Sequence, residues 1–150
     1  MAKMRIQDEN FESRVRGSFA KQGFMKTIGA RLTEVSPGKV EIELPVHDGL
    51  TQQHGFVHAG VVTAIVDTAC GYAAMTLMPV DAEVLSVEYK VNFLSPAAGA
   101  QLIARGRVVK PGRTVTVCQG DVFARKDENE KIISTILCTM IAVQTTHTER

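Results

Sequence analysis

The sequence predicts an α+β fold in which one long buried helix is wrapped by a curved antiparallel sheet. Two observations carry this. From Ala59 to Val80 the chain has no Lys or Arg and is mostly apolar, and a helix that is apolar all round belongs in a core. Downstream, four long segments alternate with period two between short turns, which favours hairpin-connected strands over βαβ crossovers. A single sheet cannot cover its own face and a whole helix, so some surface is left for a second copy.

The elements follow in order. Between Asp8 and Gln22, the residues Phe11, Val15 and Phe19 recur every four positions among charges. That is a short amphipathic helix, which Asp8 can cap and Gly23 can end. Residues 1–24 are thus an N-terminal helical segment of one domain spanning 1–150. Ser36-Pro37-Gly38 is a turn, and Val40, Ile42, Leu44 and Val46 then alternate with Glu41 and Glu43. This is a half-buried strand, with Arg31 to Val35 as its partner. After the apolar helix, Leu85, Val87, Tyr89, Val91 and Phe93 alternate with Ser86, Glu88, Lys90 and Asn92. Gln101 to Lys110, Thr114 to Ala124 and Ile132 to Val143 complete a four-strand meander. The last is apolar on both faces, which predicts a strand that is central or covered on both sides.

Composition excludes several functions. A length of 150 residues fits one domain, and Lys+Arg 17 against Asp+Glu 16 gives a net charge of +1. That balance argues against nucleic acid as a partner. The apolar run has the length of a membrane span. Asp67 near its centre would cost about 2.5–3.5 kcal/mol there, and Pro79 cuts the run short, so no membrane partner is expected. Cys70, Cys118 and Cys138 are odd in number and form no C-x-x-C pair, as for free thiols in a reducing cytosol. Met1 to Asn10 carry no apolar signal region, and a cytoplasmic location is expected.

Asp67 is the most informative residue. Its helical neighbours Thr63, Ala64, Cys70 and Gly71 offer no cation. A carboxylate on an apolar helix is costly unless satisfied, so it is either a paired core residue or a general base or nucleophile. The helix start, His54-Gly55-Phe56-Val57-His58-Ala59-Gly60, is the second feature. A helix N-terminus exposes unpaired N–H groups. No Ser, Thr, Asp or Asn immediately precedes Ala59, leaving His58 or water as the cap. Ala59 and Gly60 are small enough for close approach of a ligand, and free amides there suit a developing oxyanion. His54 and His58 lack the Glu that a zinc motif of this spacing needs, so no metal is expected. Cys70 reads as a small core residue.

His58-Ala59-Gly60 opening a helix that carries Asp67 is one of several family-like segments. Leu85 to Ala97, Gly106-Arg107 and Pro111-Gly112-Arg113-Thr114 are others. Over about residues 25–145 the chain resembles the PaaI-type (phenylacetyl-CoA thioesterase-like) hotdog acyl-CoA thioesterases. The resemblance implies a hotdog fold and hydrolysis of a small, aromatic or medium-chain acyl-CoA without a cofactor. It implies that Asp67 activates water or attacks directly, and that the Ala59 amide polarises the thioester carbonyl. His58 and Gln52 would lie near that carbonyl, and Ser86 would position the water. The chain has H-A-G where many members have H-G-G, a change that keeps the backbone N–H.

Helix geometry adds a constraint of its own. Ala59 and Asp67 are eight residues apart, about 12 Å along one helix. Both groups must reach one carbonyl within about 3 Å, so Gln52, His58 and Ala59 of one chain must meet Asp67 and Ser86 of another. A homodimer is therefore required, and a homotetramer is expected. A thiol of pKa near 8.5 departs as thiolate with little acid assistance. Lys90, Arg107 and Arg113 are candidate cations for the CoA phosphates. Two other readings stay open: an acyl-CoA binder without catalysis, and an enoyl-CoA hydratase relying on His54 or His58 paired with a carboxylate.

Overall fold

In the computed structural model, which describes residues 4–145, the N-terminal segment folds as two helices, α1 (Phe11–Ala20) and α2 (Gly23–Ile28). α1 ends at Ala20 with Lys21 as its cap, so Gly23 does not end that helix but starts α2. Gly29, at φ 84°, stops α2 with its N–H on the carbonyls of Met25 and Lys26. Six residues carry too little periodicity for the sequence to reveal this helix. Asp8 does not cap α1, whose cap position is Asn10. The Asp8 carboxylate instead accepts the Asn10 N–H at 2.9 Å and pairs with Arg14 at 3.2 Å.

The strands are β1 (Arg31–Ser36), β2 (Lys39–Pro45), β3 (Ala82–Phe93), β4 (Gln101–Lys110), β5 (Val115–Lys126) and β6 (Asn129–Gln144). They form one antiparallel sheet in the order β1-β2-β4-β5-β6-β3. The expected four-strand meander is therefore a three-strand one. β3 pairs with β6 at the sheet edge, and residues 94–100 cross the end of the sheet to β4. Three strand spacings amount to about 14 Å, within easy reach of seven residues. The crossover is held by Leu94 N–H on the Ile133 carbonyl at 2.8 Å and Val57 N–H on the Ala97 carbonyl at 3.0 Å.

The central helix α3 (Ala59–Met75) touches every strand from β2 to β6. A helix is about 10 Å wide and six flat strands about 25 Å, so the sheet must curl around it. Two glycines seat the helix. Gly106 and Gly120 face each other on β4 and β5. A Cβ on Gly106 would lie 2.5 Å from the backbone of Ala69 and Cys70. Around this seat Val62, Ile65, Val66 and Ala69 pack against Ile42, Leu44, Leu102, Val122, Ile136 and Met140.

α3 stops at Met75, five residues before the apolar run ends. The Thr76 hydroxyl donates to the Ala73 carbonyl and accepts the Gly38 N–H, both at 2.7 Å. The Arg14 guanidinium closes the end by donating to the carbonyls of Met75 and Met78 at 2.9 and 3.0 Å. Among the described residues no helix is long and apolar enough to cross a membrane. β6 has a neighbour on each side, as its composition implied, but only its inner face is covered. Ile133, Ile136, Cys138 and Met140 are buried, while Leu137 on the outer face is 54% exposed.

Candidate active site

Residues 51–57 form a tight loop closed by the Thr51–Val57 bridge and by the Gln52 N–H on the Phe56 carbonyl at 2.8 Å. Within it, Gln52 Oε1 accepts the His54 N–H at 2.5 Å, which leaves the Gln52 amide nitrogen free to donate. His58 then caps α3 with Nδ1 accepting the Gly60 N–H at 2.8 Å. A neutral imidazole accepting at Nδ1 carries its proton on Nε2, so His58 also presents a donor. The Ala59 N–H has no acceptor among the described residues. The helix start is thus capped at Gly60 and open at Ala59. Gln52, His58 and Ala59 line one cavity with Phe56, Phe93 and Pro96.

Asp67 is half-buried and takes part in none of the ion pairs among the described residues. Its Oδ1 accepts the Ser86 hydroxyl at 2.8 Å. Burial raises its pKa above the ordinary carboxylate value, and the Ser86 hydrogen bond partly opposes this. Ser86 reaches it through a departure from the expected alternation. A bulge at Val87, between Ser86 and Glu88, shifts the register of β3 against β6. Val84 and Ser86 before the bulge, and Tyr89, Val91 and Phe93 after it, therefore all face α3. Strict alternation had put Ser86 on the face opposite the aromatic residues.

The two halves lie apart within one chain. Asp67 and Ser86 border a cavity with Ser18, Gln22, Tyr72 and Met140. Ala59, Gly60, Thr63 and Asp67 line a groove along α3, closed on one side by Tyr89, Val91 and Phe93. α3 is unbroken from Ala59 to Asp67, so the helix rise of about 12 Å separates them. The part played by Ser18, Gln22, Tyr72 and Met140 was not visible in the sequence. They are scattered over more than 120 positions, and only the fold assembles them.

The candidate cations are not gathered at Asp67. Lys90 on β3 and Arg113 after β4 are exposed. Arg107 faces away from α3, next to Gly106, and pairs with Asp121 at 3.1 Å. None of the three lines the cavities around Asp67 or Ala59. Cys70, Cys118 and Cys138 are free and buried. The Cys70 thiol, buried beside Cys138, is pushed well above its ordinary range, which fits a protonated core residue rather than a nucleophile.

The sequence profile described as thioesterase superfamily matches residues 54–131. That span includes Ala59, Asp67, Ser86 and the Gly106–Gly120 seat. A solved thioesterase family protein from Silicibacter pomeroyi is 49% identical, with a TM-score of 0.88 over 90% of this chain and 99% of its own. A protein of Halobacterium salinarum named provisionally as an esterase is 34% identical over 110 residues, 70% of this chain and 72% of its own. A 1,4-dihydroxy-2-naphthoyl-CoA hydrolase of Listeria monocytogenes is 25% identical over 79% of this chain and 94% of its own. The PaaI protein of E. coli, from the phenylacetic acid degradation operon, shares the fold at a TM-score of 0.82 and 16% identity, over 93% of this chain and 98% of its own.

Proposed function

This chain belongs to the thioesterase superfamily, with the hotdog fold that its sequence resemblance implied, and from that premise we propose that it hydrolyses an acyl-CoA to free acid and CoA. The observation that carries the reading is Asp67, a half-buried carboxylate whose one hydrogen-bond partner among the described residues is the Ser86 hydroxyl. Ser86 occupies Oδ1 and leaves Oδ2 to take a proton from water. The free Ala59 N–H, at the positive end of α3, supports the carbonyl's developing charge. Gln52 and His58 Nε2 are further donors at that helix start. A CoA thiolate leaves without a general acid, so no metal or cofactor is assigned a step.

The active unit in this reading is a homodimer, in which Ala59 of one copy serves Asp67 of the other. β3 supports the assembly. It is an edge strand of 12 residues, and Leu85, Val87, Tyr89 and Phe93 are exposed along it. An open apolar edge of that length invites pairing with an identical strand. The exposed Leu137 and Val115 on the outer face are available for joining two dimers into a tetramer. Lys90 and Arg113 are assigned to the CoA phosphates, which lie a pantetheine arm away from the thioester. The site chemistry belongs in an aqueous compartment, and we assign the cytoplasm.

Asp67→Ala tests the reading. In a thiol-release assay across aromatic, short and medium acyl-CoAs, kcat should fall by about 10²–10⁴, the usual worth of a positioned base. Because burial raises the carboxyl's pKa in the folded chain, its ionised form costs stability at neutral pH. The variant should therefore melt no lower than the parent. Unchanged turnover would overturn the assignment.

A further inference from the structure

Asp67 borders two voids. One is the groove on the open face of α3, where the helix start of the second copy has to arrive if Ala59 is to serve Asp67. The other, of about 460 Å³, lies between α3, β3 and the N-terminal segment, and it is left for the acyl group. Its wall on the N-terminal side is polar. The Gln22 side-chain amide donates to the Tyr72 hydroxyl at 2.8 Å, and Ser18 Oγ shares a hydrogen bond with the same hydroxyl at 3.1 Å. Lys21 and Glu83 flank this cluster. Ser18 and Gln22 lie outside the span 54–131 that the family profile matches, while Tyr72 and Glu83 lie inside it.

We propose that the void between α1 and α3 is the acyl subsite, and that its polar wall of Ser18, Gln22 and Tyr72 selects short acyl groups against long saturated ones. The proposal rests on the acyl-CoA reading above. An apolar wall rewards each added methylene by about fourfold in binding. Here a lengthening alkyl chain meets an amide, two hydroxyls and two charged groups. It strips water from them without replacing their hydrogen bonds, so the reward is lost. Short groups stop beside Thr68, Gly71 and Val84 and leave the cluster intact.

The test is kcat/KM by thiol release with the full-length protein on a series of saturated acyl-CoAs from acetyl to palmitoyl. The parent should favour the short end and show no climb with chain length. Gln22→Leu and Tyr72→Phe each break the cluster from a different element. In each, the ratio of dodecanoyl-CoA to butyryl-CoA should rise by about fifteenfold, which a single restored apolar contact of two methylenes would supply. Two separate variants keep the test valid if one folds poorly, and a ratio is independent of the amount of active protein. A parent that climbs with chain length, or ratios unmoved in both variants, would overturn the proposal while leaving the hydrolase reading standing. Absence of hydrolysis along the whole series would overturn this proposal, and absence on aromatic acyl-CoAs as well would overturn the acyl-CoA reading.

Discussion

Because burial holds the Asp67 carboxyl above the ordinary carboxylate range while the Ser86 hydroxyl pulls it back, a base at this position works only above that raised value. The acid limb of kcat/KM should therefore lie at higher pH than a free carboxylate would give, with activity rising as the pH rises through it. Ser86→Ala removes the opposing hydrogen bond. The limb should move to still higher pH, and the plateau should drop by about tenfold, the worth of one such bond. A pH–rate profile of the two proteins decides it, and an unmoved limb would mean that Asp67 does not titrate in the rate-limiting step. At this scale the sequence was informative where chemistry is local. Asp67 on an apolar run and small residues at a helix start are both visible in a string of letters. The Ser86 contact was visible only as a residue type, because a bulge at Val87 decides which way that hydroxyl points. Arg14, which closes α3 by reaching the Met75 carbonyl 61 positions away, left no local signal at all.

Between elements, the decisive contact is the seat of α3 on β4 and β5. Gly106 and Gly120 let the sheet approach the helix at Ala69 and Cys70, one turn past Asp67. Gly106→Ala would place a methyl 2.5 Å from helix backbone, where no flexible side chain can yield. Overpacking of this kind costs about 2–3 kcal/mol, a fall in Tm of roughly 5–10 °C for a chain of this size. Gly17→Ala is the matched control, since nothing lies within 4 Å of its added Cβ. It should leave Tm unchanged or slightly higher. Calorimetry on both variants separates crowding at the seat from a general glycine effect. The strands themselves were legible, because period-two alternation survives in each of them. Their neighbours were less so. Short turns identify β4-β5-β6 as a meander, but nothing in residues 94–100 announces that they cross the sheet end and leave β3 paired with β6.

For the whole molecule, one axial distance decides how the site is assembled. The Ala59 amide and the Asp67 carboxylate sit on the same unbroken helix, about 12 Å apart, so one chain offers half a site twice. Two variants separate the halves cleanly. Asp67→Ala removes the carboxylate. Ala59→Pro removes the free N–H at the first position of α3, where proline is accommodated. His58 already has the extended backbone, ψ 136°, that the residue before a proline requires. Each variant alone should lose about 10²-fold or more in kcat. Co-expressed in equal amounts, they assort at random. Half of the dimers then carry one doubly damaged site and one intact site, so about a quarter of the parent activity should return. Mixing the two separately purified variants and assaying before subunits exchange gives the baseline. If recovery stays at that baseline while tagged heterodimers are demonstrably present, both halves act within a single chain and the shared site is wrong. If it returns, the exposed β3 edge acquires its explanation, since the surface left bare by one copy is the one that completes the site in two.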